Sequence, residues 1–308
     1  GVNGGILRNG SLPENFIVVN PQFGNVGLSG NNGNSTYNAL ETQITKRISH
    51  GLSGQFSYTY SKTLGDTGGI RDPRNRQLSK GLLSIDRPHI FKAYMTYDVP
   101  FGSRGGMLGN TPSWVRQIIG GWQVAPSFSW ASGSPLSFAS NVGTSMYLRP
   151  GAADANTVDL VGALPADLQQ VQVGANGVVQ YFRGLSTKAA PQPNFGGDPT
   201  LPTRFTNQVV VDSAGNIIFQ NPQPGKTGNT AQNLPGFRGP SNLGFDMSLN
   251  KQVRIREGWN LSFRADAVRL LNTPIWGNPN TNINGTSFGT ITTASGSRTI
   301  TLNVRLDF

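Results

Sequence analysis

The chain has 308 residues, of which 36% are hydrophobic and only 13% charged, with 40 glycines, 20 prolines and no cysteine. The missing cysteines exclude disulfides, zinc–thiolate centres and thiol nucleophiles, and the charge content is well below the ~25% usual in soluble domains. The net charge of +10 would suit nucleic acid or an anionic lipid surface, but the basic residues are scattered over loops and strand ends without an aromatic-interleaved cluster, so no nucleic-acid partner is expected.

Mean hydropathy is −0.29, and no apolar run reaches the ~18 residues a membrane-spanning helix needs. A β-barrel escapes that test, because only alternate residues of its strands face lipid. The chain opens at Gly1 without Met or a signal peptide, which suggests a mature product or a fragment. Residues 1–36 look like the end of an external loop. Tyr37–Ile48 reads as a first strand through Leu40, Ile44 and Ile48. After a tight turn at Ser49-His50-Gly51, Leu52–Thr63 alternates with a period of two: Leu52, Phe56, Tyr58 and Tyr60 against Ser53, Gln55, Ser57, Thr59 and Ser61.

A long connection follows, Leu64–Pro88, then a strand at His89–Val99 through Phe91, Ala93, Met95 and Tyr97. Within Phe101–Gly121, Ser113–Ile119 could form a small helix on the inner rim. Trp122–Gly133 is the fourth strand, with Trp122, Val124, Phe128 and Trp130 on one face. Ser134–Ser241 is a very long connection containing one hairpin at Gln208–Gln220, expected to stand above the membrane: Val209-Val210-Val211, a turn over Asp212–Asn216, then Ile217-Ile218-Phe219. The last three strands lie in 242–308. Leu243–Val253 sets Leu243, Phe245, Met247 and Leu249 against Gly244, Asp246, Ser248 and Asn250. A short turn around Arg256-Glu257-Gly258 leads to Trp259–Val268, where Trp259, Leu261, Phe263, Ala265 and Ala267 share one face. After Leu271–Gly296, Thr299–Phe308 alternates without a fault through Ile300, Leu302, Val304, Leu306 and Phe308.

These segments define an all-β fold, an antiparallel transmembrane β-barrel with long extracellular loops. If the strands run alternately outward and inward and Phe308 ends in the periplasm, both tight turns are periplasmic and the three long connections external. That sorting is typical of outer-membrane barrels; Phe101–Gly121, periplasmic by parity but not short, breaks the pattern. Seven strands cannot close in lipid without unpaired edges, and single-chain bacterial barrels have even strand counts. Further strands are therefore expected before Gly1 or in other chains.

Several segments resemble the TonB-dependent receptor family: Asn20–Val26 (NPQFGNV), Ser35–Arg47 (STYNALETQITKR), Phe56–Lys62 (FSYTYSK), Asp86–Phe91 (DRPHIF) and Gly120–Val124 (GGWQV). Leu270–Asn280 (LLNTPIWGNPN), Phe288–Thr292 (FGTIT) and the final strand are similar to the C-terminus of its Oar-like branch, common in Acidobacteria, which carries an N-terminal carboxypeptidase-regulatory-like domain. The likeness covers about two thirds of the chain and leaves out Ala139–Asn233. It implies the C-terminal part of a 22-stranded barrel, plugged by an N-terminal domain and driven through TonB. The plug and the TonB-contacting segment lie outside this chain, so transport by the chain alone is not expected. The implied cargo is a small ligand, an oligosaccharide or a peptide.

Candidate sites follow from placement. Trp122, Trp259 and Phe308 fall at the periplasmic strand ends, Tyr60 and Trp130 near the outer ends, as a membrane-interface girdle would; soluble core is the other reading. Phe308, with Leu306 and Val304, resembles the terminal signal read by the barrel-insertion machinery, though Phe308 could also serve only as an interfacial anchor. Arg71, Arg74 and Arg76 crowd the first external loop with Lys62, Lys80 and Arg87; they suit lipopolysaccharide phosphates, since Arg forks match phosphate, or simply form a solvated basic loop. Arg264, Asp266, Arg305 and Asp307 lie on polar faces, as a substrate path or as structural ion pairs. His89 beside Asp86 could be a metal or acid–base pair, or merely a strand start held by Pro88 and local hydrogen bonds. No catalytic constellation and no cofactor site emerge, so no enzyme is expected. The competing readings are a surface-exposed adhesin or lectin-like all-β module and a barrel enzyme. Localisation in the outer membrane of a Gram-negative type bacterium follows from the first reading.

Overall fold

The computed structural model describes residues 33–66, 75–101, 112–140, 157–191, 207–222 and 228–308. In chain order its first strands are β1 (Ser35–Ser49), β2 (Leu52–Asp66), the short β3 (Lys80–Leu82), β4 (His89–Asp98) and β5 (Trp122–Ala131). A helix, α1 (Ser113–Ile119), precedes β5. Six short strands follow: β6 (Asp159–Leu160), β7 (Gln169–Val173), β8 (Val179–Phe182), β9 (Ser186–Ala189), β10 (Gln208–Val211) and β11 (Ile217–Gln220). Then come β12 (Asn242–Arg256), β13 (Trp259–Val268), β14 (Ile275–Trp276), β15 (Thr290–Ile291), β16 (Ala294–Ser295) and β17 (Thr299–Asp307). All seven expected strands are present, three of them a few residues longer than the alternation alone suggested. The helix occupies the expected residues.

The seven long strands form one antiparallel sheet in the order β1-β2-β4-β5-β12-β13-β17, with β3 added beside β2. The register keeps one face mostly apolar and the other mostly polar, with Lys251 the exception on β12. One row of cross-strand partners runs Leu52–Tyr97–Val124–Leu249–Ala265–Leu302. A row on the opposite face runs Asp98–Gln123–Asn250–Arg264–Asn303. A one-residue slip would exchange the two faces, so the alternation itself fixes the pairing. The turns at one end are as short as a hairpin allows. Ser49 pairs with Leu52 around His50 and Gly51, whose φ angles are 53° and 76°. Arg256 pairs with Trp259 around Glu257 and Gly258. In the first turn two left-handed residues give the twist that matches the flanking strands, and in the second only Gly258, with φ 80°, is left-handed. Among the described residues β1 and β17 are the two ends of the sheet.

At the opposite end, the described parts of 134–241 and 271–296 fold together into a head. One sheet has the order β6-β11-β10-β9, a second β15-β8-β7, and β14 pairs with β16. Phe138 is the hub of its core, with ring centroids 4.6 Å from Phe219, 5.1 Å from Phe237 and 5.4 Å from Phe182. Val210, Ile218, Ile283 and Phe288 belong to the same cluster. The hairpin β10–β11 is therefore not freestanding: its apolar side chains are part of the head's interior, and Ala139–Asn233 is a folded unit wherever it is described. The expectation of a loop with one hairpin missed this, because the strands that surround the hairpin are too short to show a period.

Candidate functional site

Three surfaces carry chemistry: the apolar face of the sheet, its polar face, and the joint between sheet and head. On the apolar face the aromatic residues gather at two levels. At the short-turn end, Trp259 lies 5.6 Å from Phe308, the Arg256 guanidinium sits 4.2 Å over Trp259, and Trp122 meets Phe263 edge-on at 6.0 Å. At the head end, Trp130 lies 5.6 Å from Phe91, and Tyr60 lies 5.3 Å from His89. Trp122 and Trp130 open and nearly close the same strand, about 26 Å apart along it at ~3.3 Å per residue, or ~20 Å along the axis of a tilted barrel. Between the two levels the face is aliphatic and open, with Leu302 and Val304 65% and 68% exposed. Val304 and Leu306 pair with Phe263 and Leu261 on β13, and Phe308 stands just past the end of β17 at the free edge.

The polar face holds a ladder of short contacts. Arg264 Nε donates to Asp266 at 2.8 Å, Ser248 also donates to Asp266, and Arg305 Nε donates to Asp307 at 2.7 Å. Farther along, Gln123 Nε2 donates to Asp98 at 2.8 Å, and Tyr94 OH donates to Gln55 at 2.8 Å. The four charged residues singled out in the sequence thus pair along their own strands, two by two. Both pairs remain solvent-accessible on an open recess that also includes Asp98, Gln123 and Asn250.

The joint is the best-defined polar arrangement. Asp86 is fully buried at the entry to β4. One of its carboxylate oxygens accepts the Thr63 N–H of β2 at 2.6 Å, and the other accepts Arg238 Nη2 at 2.6 Å. Arg238 comes from the head side. Its Nη1 donates to Gly133 O at 3.1 Å, its backbone N–H to Gln169 Oε1 at 2.6 Å, and its carbonyl accepts Tyr181 OH at 2.7 Å. One residue therefore ties β2, β4 and the end of β5 to the head strands β7 and β8. Burial in that contact pushes the Tyr181 phenol up to about 12. The chains run so close here that a Cβ on Gly133 would lie 1.7 Å from the Gly239 carbonyl oxygen. Asn233 adds a bond to the Leu82 carbonyl of β3.

The structure separates His89 from the Asp86 carboxylate. His89 Nδ1 is hydrogen-bonded to Tyr58 OH at 2.9 Å, while Asp86 is consumed by Arg238 and Thr63. The strand-start reading of this segment fits, and the metal or acid–base reading does not. Arg71 and Arg74 lie outside the described residues, and Arg76 opens the 3-10 turn Arg76–Ser79 that leads into β3. No cluster of metal-ligating side chains occurs among the described residues. Sequence reasoning passed over Arg238 and Lys251. Arg238 left no signal beyond its place in a Gly/Pro-rich stretch, Pro235–Pro240. Lys251 did leave one: it stands at an apolar-face position of β12, between Trp122 and Phe263.

Comparison with known proteins adds one match. A family model described as an outer membrane beta barrel domain covers residues 7–301. No curated protein and no solved structure matches the chain.

Proposed function

The chain belongs to the outer membrane beta barrel domain family, and from that premise we propose that it supplies part of the wall and the outer cap of a TonB-dependent receptor of the Oar-like kind. In this reading the two-residue turns at His50-Gly51 and Glu257-Gly258 face the periplasm and the head faces outside. The observation that carries it is the asymmetry of the connections: two two-residue turns at one end of the sheet, beside the longer connection that carries α1, and a folded head at the other. The polar face lines a lumen and the apolar face meets lipid. The sheet edges left at β1 and β17 among the described residues call for further strands, since an unpaired strand edge in hydrocarbon costs several kcal/mol per backbone group. The quoted sequence segments support the 22-stranded, plugged barrel and the dependence on TonB. The partners of this reading are outer-membrane lipid and lipopolysaccharide, the insertion machinery that reads the Val304–Phe308 strand, TonB through the N-terminal part, and a small ligand, oligosaccharide or peptide as cargo. The protein is not an enzyme in this reading.

The reading is tested in two steps. The chain lacks cysteine, so Asn216→Cys and His50→Cys can be labelled singly on whole cells with a membrane-impermeant thiol reagent. Position 216 should react and position 50 should not; the reverse would overturn the orientation. Ligand uptake by the full-length protein should then vanish when TonB is deleted, and uptake independent of TonB would remove the receptor reading. A second reading, a surface adhesin or lectin-like module, draws support from the head's own hydrophobic core. It requires ligand binding that is indifferent to TonB.

A further inference from the structure

Lys251 breaks the apolar face. Its register partners are Trp122 and Phe263, yet its side chain is only 8% exposed. An ammonium on a lipid-facing strand is unfavourable, increasingly so with depth. This one is satisfied by α1: Nζ donates to the carbonyls of Ile118 at 2.6 Å and Gly120 at 2.7 Å, and lies 4.8 Å from the Trp122 ring centroid. Trp122 Nε1 also donates to Ile118 O, at 3.1 Å. The last carbonyls of a helix lack partners within it and carry partial negative charge. Here two side chains rooted on the apolar face take them up. That fastening holds the last turn of the helix against the apolar face at the short-turn end.

The helix is two-faced. At 100° per residue, Trp114, Ile118, Val115 and Ile119 fall on one arc, and Arg116 and Gln117 on the other. Arg116 and Gln117 line a recess at the short-turn rim with His50, Asp98 and Arg254. Trp114 and Ile118, one turn apart, are 67% and 61% exposed. Seven residues are too few to hold a helix in water by themselves, so the anchoring to Lys251 and Trp122 is what positions it. We propose that α1 is an interfacial helix that lies in the headgroup layer of the leaflet at the short-turn end, with Trp114 and Ile118 in the acyl boundary of its phospholipids and Lys251 as the pin. The occupant of its exposed face is lipid because that face continues the apolar band through Trp122 and Phe263, and an indole at headgroup depth is where such rings settle. The inference rests on the apolar face meeting lipid, and its test carries a separate control for that.

The full-length protein would be reconstituted in phosphatidylcholine/phosphatidylglycerol vesicles with a single environment-sensitive fluorophore on Ile118→Cys, Gln117→Cys or Val304→Cys. Shallow spin-labelled lipid should quench position 118 several-fold more than aqueous cobalt does, position 117 should show the opposite order, and position 304 should be quenched by lipid alone. Water exposure at 118 with lipid contact at 304 overturns the interfacial helix and leaves the barrel wall intact. Water exposure at both overturns the two together. Adding Lys251→Met should lower lipid quenching at 118 by at least half while 304 is unchanged; unchanged quenching at 118 overturns the pin.

Discussion

In β17 every second side chain is apolar and Val304 is 68% exposed; in β10 and β11 of the head, Val210 and Phe219 are completely buried. The two regions contain the same kinds of residue under opposite rules. Among the described residues most of the wall has no second layer: its apolar rows are largely exposed, and polar side chains on the other face bond to one another. In water such a face would be a large exposed apolar patch; in hydrocarbon it is the correct surface, provided every backbone group is paired within the sheet. The head has an interior of its own, with phenylalanines closed around Phe138. Stability in the two parts therefore has different origins. The head depends on packing, and the wall depends on strand pairing and on which residues touch lipid. Arg238 and Asp86 lie where the two regimes meet.

The sharpest way to separate them is Phe138→Ala. Removing a buried ring at the hub of an aromatic core costs about 3–5 kcal/mol, enough to open most small folded units. The head should become sensitive to external protease while heat-modifiable migration of the barrel persists. Loss of both together would show that wall and head fold as one unit. Arg238→Met should come close behind. It leaves Asp86 buried without its counter-charge, a change that costs about 3–5 kcal/mol, and it cuts the tie without touching the head's core. The double variant Arg238→Met/Asp86→Asn should recover much of the loss. A double variant as unstable as the single one would mean that Arg238 acts through its other bonds, to Gly133 and to the backbone around it.

For the wall, Leu302→Arg, between the two aromatic levels on the apolar face of β17, should cost about 2–4 kcal/mol in a refolding titration, and Asn303→Arg, its neighbour on the polar face, much less. Equal losses would mean that the faces are assigned the wrong way round, and the contrast between wall and head would lose its basis.

The wall was readable residue by residue because two different solvents act on its two faces. A two-residue period then persists over whole strands, and Trp259–Val268 can be bounded by eye. The turns were readable from Gly51 and Gly258. The head was not, because its core draws single residues or short runs from Leu136, Phe138, Phe182, Phe237 and Phe288, spread across two connections. No period survives that spacing, and only the hairpin, with three apolar residues in each arm, stood out. Among the candidate sites the aromatic levels followed from the same alternation. The joint did not, since it depends on Asp86 meeting Arg238, more than a hundred residues later in the chain.

The finest test of the joint concerns Tyr181. Its hydroxyl donates to the Arg238 carbonyl at 2.7 Å from a buried site. At neutral pH, Tyr181→Phe should cost about 1 kcal/mol, the usual net value of one such hydrogen bond. The sign changes in alkali. Burial raises the phenol to about 12 in the folded state, against ~10 in an unfolded chain. A group whose folded value is raised contributes fully below the unfolded value, and that contribution is lost as pH rises through the folded one. Between pH ~10 and ~12 the unfolded form gains from ionising while the folded form cannot, at about 1.4 kcal/mol per pH unit. The Phe variant carries no such penalty. The two stability curves should therefore cross near pH ~11, with the parent more stable below and the variant more stable above. Thermal unfolding of the head at pH 8 and pH 11.5, followed by near-ultraviolet circular dichroism in detergent, would read the crossing. Parallel curves would mean that Tyr181 is open to solvent and that the head rests on the wall more loosely than the bonds of Arg238 imply.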